Sequence, residues 1–164
     1  MKLRKLENRD APLMMEWMHD PFIVSNMQTN FANKTLSDCE QFIKEAQNFS
    51  ENIHLAITDD NGEYMGTVSL KNILSSDAEF AITMRKSAMG KGFAKFGMAE
   101  IIGIGLKKLG LKSVYWCVNP QNTRAIRFYD KNGYKKVGLG SLKNIKGYSE
   151  EQKKHYIWYQ VIKD

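Results

Sequence analysis

Apolar residues recur along this chain with two periods, and the switches between those periods predict most of its elements. Strict alternation marks a short strand over residues 2–6 and another over residues 78–84. In the second, Asp77, Glu79, Ala81 and Thr83 share one face, while Ala78, Phe80, Ile82 and Met84 share the other. β-Branched and aromatic runs at 53–58, 64–70, 113–118, 134–137 and 156–162 predict five further strands. Asp59-Asp60-Asn61-Gly62, between the first two of these, is a hairpin signal.

Helical spacing occurs in four segments. One starts at Asp10 as N-cap, tolerates Pro12 in its first turn and ends near His19-Asp20-Pro21. A second starts at Ser37 in capping-box form, with Glu40 three residues on. It carries Cys39, Phe42, Ile43 and Ala46 on its apolar side. A third runs from Gly92 to about Leu109, with Gly110 as C-cap. The fourth follows the turn Asn119-Pro120-Gln121-Asn122 and ends near Asn132-Gly133, and a Gly-, Ser- and Lys-rich loop covers 139–150. A three-strand meander beside β-α-β elements predicts one domain over residues 1–164 of α+β class. Its sheet is single, mixed and largely antiparallel, with helices packed on both faces.

Composition narrows the class. Of the 164 residues, 43% are hydrophobic and 26% charged, as in globular proteins with a substantial core. No apolar run approaches the roughly 18 residues of a membrane span, so no membrane partner is expected. Met1-Lys2-Leu3-Arg4-Lys5 lacks the apolar stretch of a signal peptide, and Cys39 and Cys117 form no CxxC or Cys/His cluster. Together with nine Met, this points to a reducing cytoplasm. His19, His54 and His155 share no ligand spacing, so no metal is expected. The net charge of +6 suits solubility or the steering of a polyanionic small molecule. The basic residues are scattered and form no aromatic-interleaved stripe, which speaks against a nucleic-acid partner.

The segment Met89-Gly90-Lys91-Gly92-Phe93-Ala94 runs from a strand into a helix. Helix N-termini present unpaired N–H groups and the positive end of the dipole, and Gly90 and Gly92 let a pyrophosphate come close. The segment lacks GxxxxGK[ST], and Lys95 stands where a dinucleotide GxGxxG needs glycine. By itself the turn is compatible with a purely structural role.

Two motifs together resemble the GNAT N-acetyltransferases. Gly92 and Ala94 match the last two fixed positions of that family's acetyl-CoA pyrophosphate motif Q/R-x-x-G-x-G/A, and Met89 departs at the first. Asn122, Ala125, Tyr129 and Gly133-Tyr134 match N-x-x-A-x-x-x-Y-x-x-x-G-F/Y at each fixed point. Trp17-Met18-His19-Asp20-Pro21 looks like the W-x-x-D-P start of a branch that includes ribosomal-protein and amino-sugar acetyltransferases.

The resemblance implies acetyl transfer from acetyl-CoA to a primary amine by direct attack. Tyr129 would donate a hydrogen bond to the departing thiolate. A phenol of pKa about 10 giving its proton to a thiolate whose conjugate acid has a pKa of about 8.5 is uphill by roughly 2 kcal/mol, which makes full transfer late. Glu79, in an Ala78-Glu79-Phe80 strand, is the candidate base, against a bland reading as a solvated carboxylate. The cofactor would be held by the main chain of Ile82 and Met84, by Met89, Gly90, Lys91, Gly92, Phe93 and Ala94, and by Asn122 and Arg124. Met89 would still offer its N–H. Trp17, Phe22, Phe31, Trp116 and the loop 139–150 are where the acceptor pocket is expected. The acceptor expected is an amino sugar, possibly nucleotide-linked. A protein N-terminus is the alternative acceptor, and a non-catalytic acyl-CoA- or RNA-binding domain is the alternative class. Either a monomer or a homodimer is compatible.

Overall fold

The computed structural model describes residues 1–74 and 76–164. One seven-stranded sheet runs in the order β1-β2-β3-β4-β5-β7-β6. Its strands are β1 (Lys2–Lys5), β2 (Ile53–Thr58), β3 (Tyr64–Leu74), β4 (Asp77–Met84), β5 (Ser113–Val118), β6 (Lys135–Val137) and β7 (Ile157–Ile162). All pairings are antiparallel except β4 with β5. The expected α+β class holds, with helices on both faces.

One face packs on α4 (Phe93–Gly103) and α5 (Thr123–Lys131), burying Ile57, Val68, Leu70, Ala78, Met98, Ile101 and Val114 completely. The other packs on α1 (Ala11–Met18) and α3 (Leu36–Glu45), around Met14, Trp17, Cys39 and Ile43. The alternation in β4 assigns these faces: its even-numbered residues meet α4 and α5, and its odd-numbered ones look the other way.

Several boundaries differ from the expectation. Helix α3 begins two residues early because Thr35 and Asp38, rather than Ser37 and Glu40, form the capping box. Thr35 Oγ1 accepts from the Asp38 N–H at 3.2 Å, and Asp38 accepts from the Thr35 N–H at 2.8 Å. Asp10 makes no side-chain cap; its carboxylate accepts from Arg4 at 2.7 and 2.8 Å and from the Glu7 N–H at 2.8 Å. The third expected helix ends as a π-helical turn over Ile104–Lys108, wider than α. Short helices α2 (Pro21–Val24) and α6 (Glu150–His155) add to the four expected, with Asp20 and Ser149 as their N-caps.

Candidate active site

Strands β4 and β5 pair only through Asp77↔Ser113, Ala78↔Val114 and Glu79↔Tyr115. Beyond Glu79 they part, while β3 stays paired with β4 as far as Met84. The Arg85 N–H donates to the Met65 carbonyl at 2.9 Å. In an antiparallel ladder the polar groups of alternate residues point the same way, so Thr83 and Ala81 also turn theirs towards β3. The N–H and C=O groups of Phe80, Ile82 and Met84 therefore face the side that β5 has vacated. An extended chain entering there finds a ready-made strand edge.

The opening leads into a cleft of about 620 Å³ between β4, the start of α4, α5 and α2. Ile82, Met84, Met89, Gly90, Gly92 and Ala94 line one wall, and Asn122, Arg124, Ala125, Phe128 and Tyr129 line the other. Gly90 and Gly92 have φ of 75° and 86°, the left-handed region that glycine enters without strain. A β-carbon on Gly90 would meet nothing within 4 Å, so the turn is open on the side where a ligand would lie. The Phe96 N–H donates to the Gly92 carbonyl at 3.0 Å and begins the α4 ladder. The N–H groups of Phe93, Ala94 and Lys95 precede it and stay available to an anion. Lys95, Arg124 and Lys131 line the cleft, and no carboxylate does so among the described residues.

Asn122 Oδ1 caps α5, accepting from the Ala125 N–H at 3.2 Å, which leaves its Nδ2 donors for a ligand carbonyl. Two turns on from Asn122, Tyr129 is 7% exposed, and its hydroxyl has no hydrogen-bond partner in the protein among the described residues. Burial, followed by the neighbouring Tyr159, pushes its pKa well above the usual phenol value. The group stays a neutral donor aimed at the cleft.

A family model, the acetyltransferase (GNAT) domain, matches residues 1–135. This chain belongs to the GNAT acetyltransferase family. It is 27% identical over 146 residues to the uncharacterized N-acetyltransferase p20 of Bacillus licheniformis, covering 85% of this chain and 81% of that one. It is 26% identical over 155 residues to the spermidine N(1)-acetyltransferase of Escherichia coli K12, covering 84% of this chain and 74% of that one. The spermidine N-acetyltransferase of Vibrio cholerae, solved with CoA and spermine, superposes with a TM-score of 0.79 at 19% identity, covering 99% and 95%. A GNAT-family acetyltransferase from Bacillus anthracis superposes at 0.73 and 18% identity, covering 98% and 93%. The protein is an acetyl-CoA-dependent N-acetyltransferase. The cleft fits that co-substrate in its chemistry: an open glycine turn with unpaired helix N–H groups, an unpaired edge of β4, and a cleft-lining phenol.

Glu79 lies on the opposite face of this GNAT sheet, beside the point where β4 and β5 part. It is 4% exposed. The Tyr148 hydroxyl donates to its Oε1, Lys71 Nζ stands 3.8 Å from the same oxygen, and Asn72 Nδ2 is 3.5 Å from Oε2. Asn72 holds φ 52°, the one non-glycine residue with positive φ among those described. Cys117 Sγ lies 3.4 Å from the Tyr148 hydroxyl; burial raises its pKa to about 11, so it stays a thiol.

The expected acceptor residues scatter. Trp17 is buried in the α1/α3 core, its indole N–H donating to the Tyr64 hydroxyl at 3.0 Å, and Phe31 packs edge-on against it at 5.0 Å. Trp116 is 1% exposed and stacks on Tyr159 at 5.6 Å, so it is core rather than pocket wall. Its even-numbered place in β5 turns it towards α5, a direction that a lone strand pattern leaves open. Phe22 alone reaches the cleft mouth, with Lys86 and Arg124 at 5.4 and 5.6 Å from its ring.

One cradle expectation is also corrected. The Met89 N–H is engaged, donating to the Lys86 carbonyl at 3.2 Å in a 3-10 turn, so Met89 offers no free donor. Lys91 is exposed and does not line the cleft, and Phe93 turns its ring into the core while its N–H begins the helix. Thr83 and Lys131, both cleft-lining, carry no motif signal, and Tyr148 falls in the loop expected to border the acceptor.

Proposed function

We propose that the enzyme acetylates a primary amine by direct attack, with an amino sugar, free or nucleotide-linked, as acceptor. The vacant edge of β4 ending at the free Tyr129 phenol carries the transfer reading. Acetyl-CoA supplies a thioester carbonyl activated towards amines. One of the main-chain N–H groups of Ile82 and Met84 would hold the acetyl oxygen as negative charge builds on it, and the other would pair with a pantetheine carbonyl. The Phe93, Ala94 and Lys95 N–H groups and the Lys95 and Arg124 side chains would hold phosphate. Asn122 Nδ2 would orient a pantetheine carbonyl, and Tyr129 would hydrogen-bond the departing sulfur.

The acceptor reading rests on charge. A polyamine is recognised through free carboxylates, and the acids beside the gap between β4 and β5, Asp77 and Glu79, are engaged. Asp77 accepts from Ser113 at 2.9 Å and Asn144 at 2.8 Å, and Glu79 accepts from Tyr148. A neutral or anionic sugar suits a chain of net charge +6 better than a polycation does. A polyamine is the second reading, supported by the name of the Escherichia coli relative.

The test is thiol release from acetyl-CoA with glucosamine, a nucleotide-linked amino sugar, spermidine and an N-terminal peptide. Spermidine giving the highest kcat/KM would replace the amino-sugar assignment. No turnover with any amine would remove the transfer reading itself.

A further inference from the structure

Strand alternation puts two groups of residues on opposite sides of the gap between β4 and β5. Phe80, Ile82, Trp116 and Val118 face the helices that carry Tyr129. Glu79, Ala81, Tyr115 and Cys117 face the other way, and the loop before α6 lays Tyr148 over them. An acceptor approaching the thioester from the side opposite Tyr129 therefore comes in beside Tyr148. The carboxylate behind it is closed off: Tyr148 covers Oε1, Asn72 covers Oε2, and Glu79 is 4% exposed.

We propose that the acceptor amine gives its proton to the Tyr148 phenol oxygen while Tyr148 passes its own proton to Glu79. This rests on the acetyl-transfer reading above and adds the route of the proton. The proton count closes. The ammonium loses one proton, the phenol exchanges one and ends unchanged, and Glu79 gains one and later returns it to water. The freed nitrogen lone pair forms the C–N bond as the C–S bond breaks. The second nitrogen proton ends on sulfur, where Tyr129 stands. No oxidant, metal or further reactant is involved.

Three features suit Tyr148 to the task. Its ring is clamped edge-on by Trp158 at 5.2 Å and by Tyr156 at 6.0 Å, so the hydroxyl is held in place. Ser149 and Gln152 form a capping box immediately after it, pinning the backbone exit. The oxygen donates to Glu79 and accepts from Cys117, which leaves one lone pair for a substrate N–H. The groups facing this pair are Lys71 from β3, Asp77 from β4, and Tyr115 and Cys117 from β5; the phenols and the thiol all have raised pKa values. The neutral Tyr115 phenol and Cys117 thiol are poor proton acceptors near neutral pH, and both Asp77 oxygens already accept, from Ser113 at 2.9 Å and Asn144 at 2.8 Å. Lys71 Nζ, 3.8 Å from Glu79, offsets the buried negative charge.

The test uses the full chain and the best acceptor of the panel. At neutral pH, Tyr148→Phe is expected to lower kcat/KM about a hundredfold. Above the acceptor's own pKa, where the amine arrives neutral, the loss should shrink to about threefold. Glu79→Gln should show the same loss and the same recovery, and the double variant should be no worse than either. Calorimetric binding of a non-reacting trimethylammonium analogue of that acceptor, with CoA present, should be unchanged in Tyr148→Phe. An unaltered pH profile would overturn the relay, as would a loss confined to KM with weaker analogue binding. A defect in Glu79→Gln with normal Tyr148→Phe would mean direct contact with the carboxylate and would overturn it too. Should Glu79→Gln fail to fold, Tyr148→Phe decides alone, since its ring still packs on Trp158. Absence of turnover in the unaltered enzyme would overturn both this route and the transfer reading.

Discussion

Gly66 in β3 lies against the Thr83 carbonyl of β4 so closely that a β-carbon there would sit 2.4 Å from that oxygen and 2.6 Å from Met84 Sδ. The strand segment it supports is the one whose other edge is vacant. Gly66 is thus a packing requirement of the cleft, transmitted through one strand pairing.

Gly66→Ala should force β3 and β4 apart, because the obstructing atom is backbone and cannot rotate away. Overpacking of this kind costs about 1–3 kcal/mol. Thermal unfolding should register it as a drop of roughly 2–4 °C per kcal/mol for a chain of this size. The same variant should bind acetyl-CoA more weakly, measured by the thermal shift that a fixed concentration produces.

Gly92→Ala tests the phosphate cradle. A β-carbon at φ 86° is strained by about 1 kcal/mol, and it distorts the N–H groups that open α4. Saturating acetyl-CoA, at about a hundred times its Kd, should stabilise the unaltered protein by about 2.7 kcal/mol. In the variant that gain should fall markedly in calorimetric or fluorimetric melts, with only a small change in the ligand-free melting temperature. A full gain in Gly92→Ala would move the cradle elsewhere.

Tyr129→Phe should lower kcat by about a hundredfold while leaving the KM for acetyl-CoA nearly unchanged, because the lost hydrogen bond matters only as sulfur gains charge. Since burial raises the phenol pKa, the unaltered enzyme should show no alkaline loss of rate from Tyr129 near pH 10. Steady-state rates across pH, compared between the two proteins, check both statements.

His54 gives stability an acid limb. Burial, with Lys71 nearby, lowers its pKa to about 4 from the ordinary 6.5, while Nδ1 is 2.6 Å from Ser69 Oγ. The folded state binds this proton less readily than the unfolded chain. The contribution is therefore complete above pH 6.5 and is lost as pH falls towards 4. The shift corresponds to about 3 kcal/mol at its fullest. Urea unfolding at pH 7 and pH 5 should show the decline, and His54→Gln should flatten it.

Much of the fold was legible because strand and helix periods differ and this chain keeps them distinct. The β4 alternation, the Asp59–Gly62 hairpin and the Asn122 cap each have a local physical signal. The misread cap of α3 was legible too, since Thr35-x-x-Asp38 competes with Ser37-x-x-Glu40 and lies nearer the turn. Trp17, Phe31 and Trp116 were misplaced for another reason. An aromatic residue serves a core or a pocket equally well, and only its neighbours decide. That the Met89 N–H is engaged has no sequence signal, because a 3-10 turn over Lys86–Ala88 leaves no periodic trace.

The sequence by itself determined the order of the strands and of the four longer helices, the glycine turn and the Asn122–Tyr134 segment, because each depends on residues a few positions apart. Only the tertiary structure decided that β4 and β5 part after Glu79, and that Tyr148 closes over that carboxylate from 69 residues away. Those relationships join segments distant along the chain. Their energies come from packing and hydrogen bonds that no local pattern encodes.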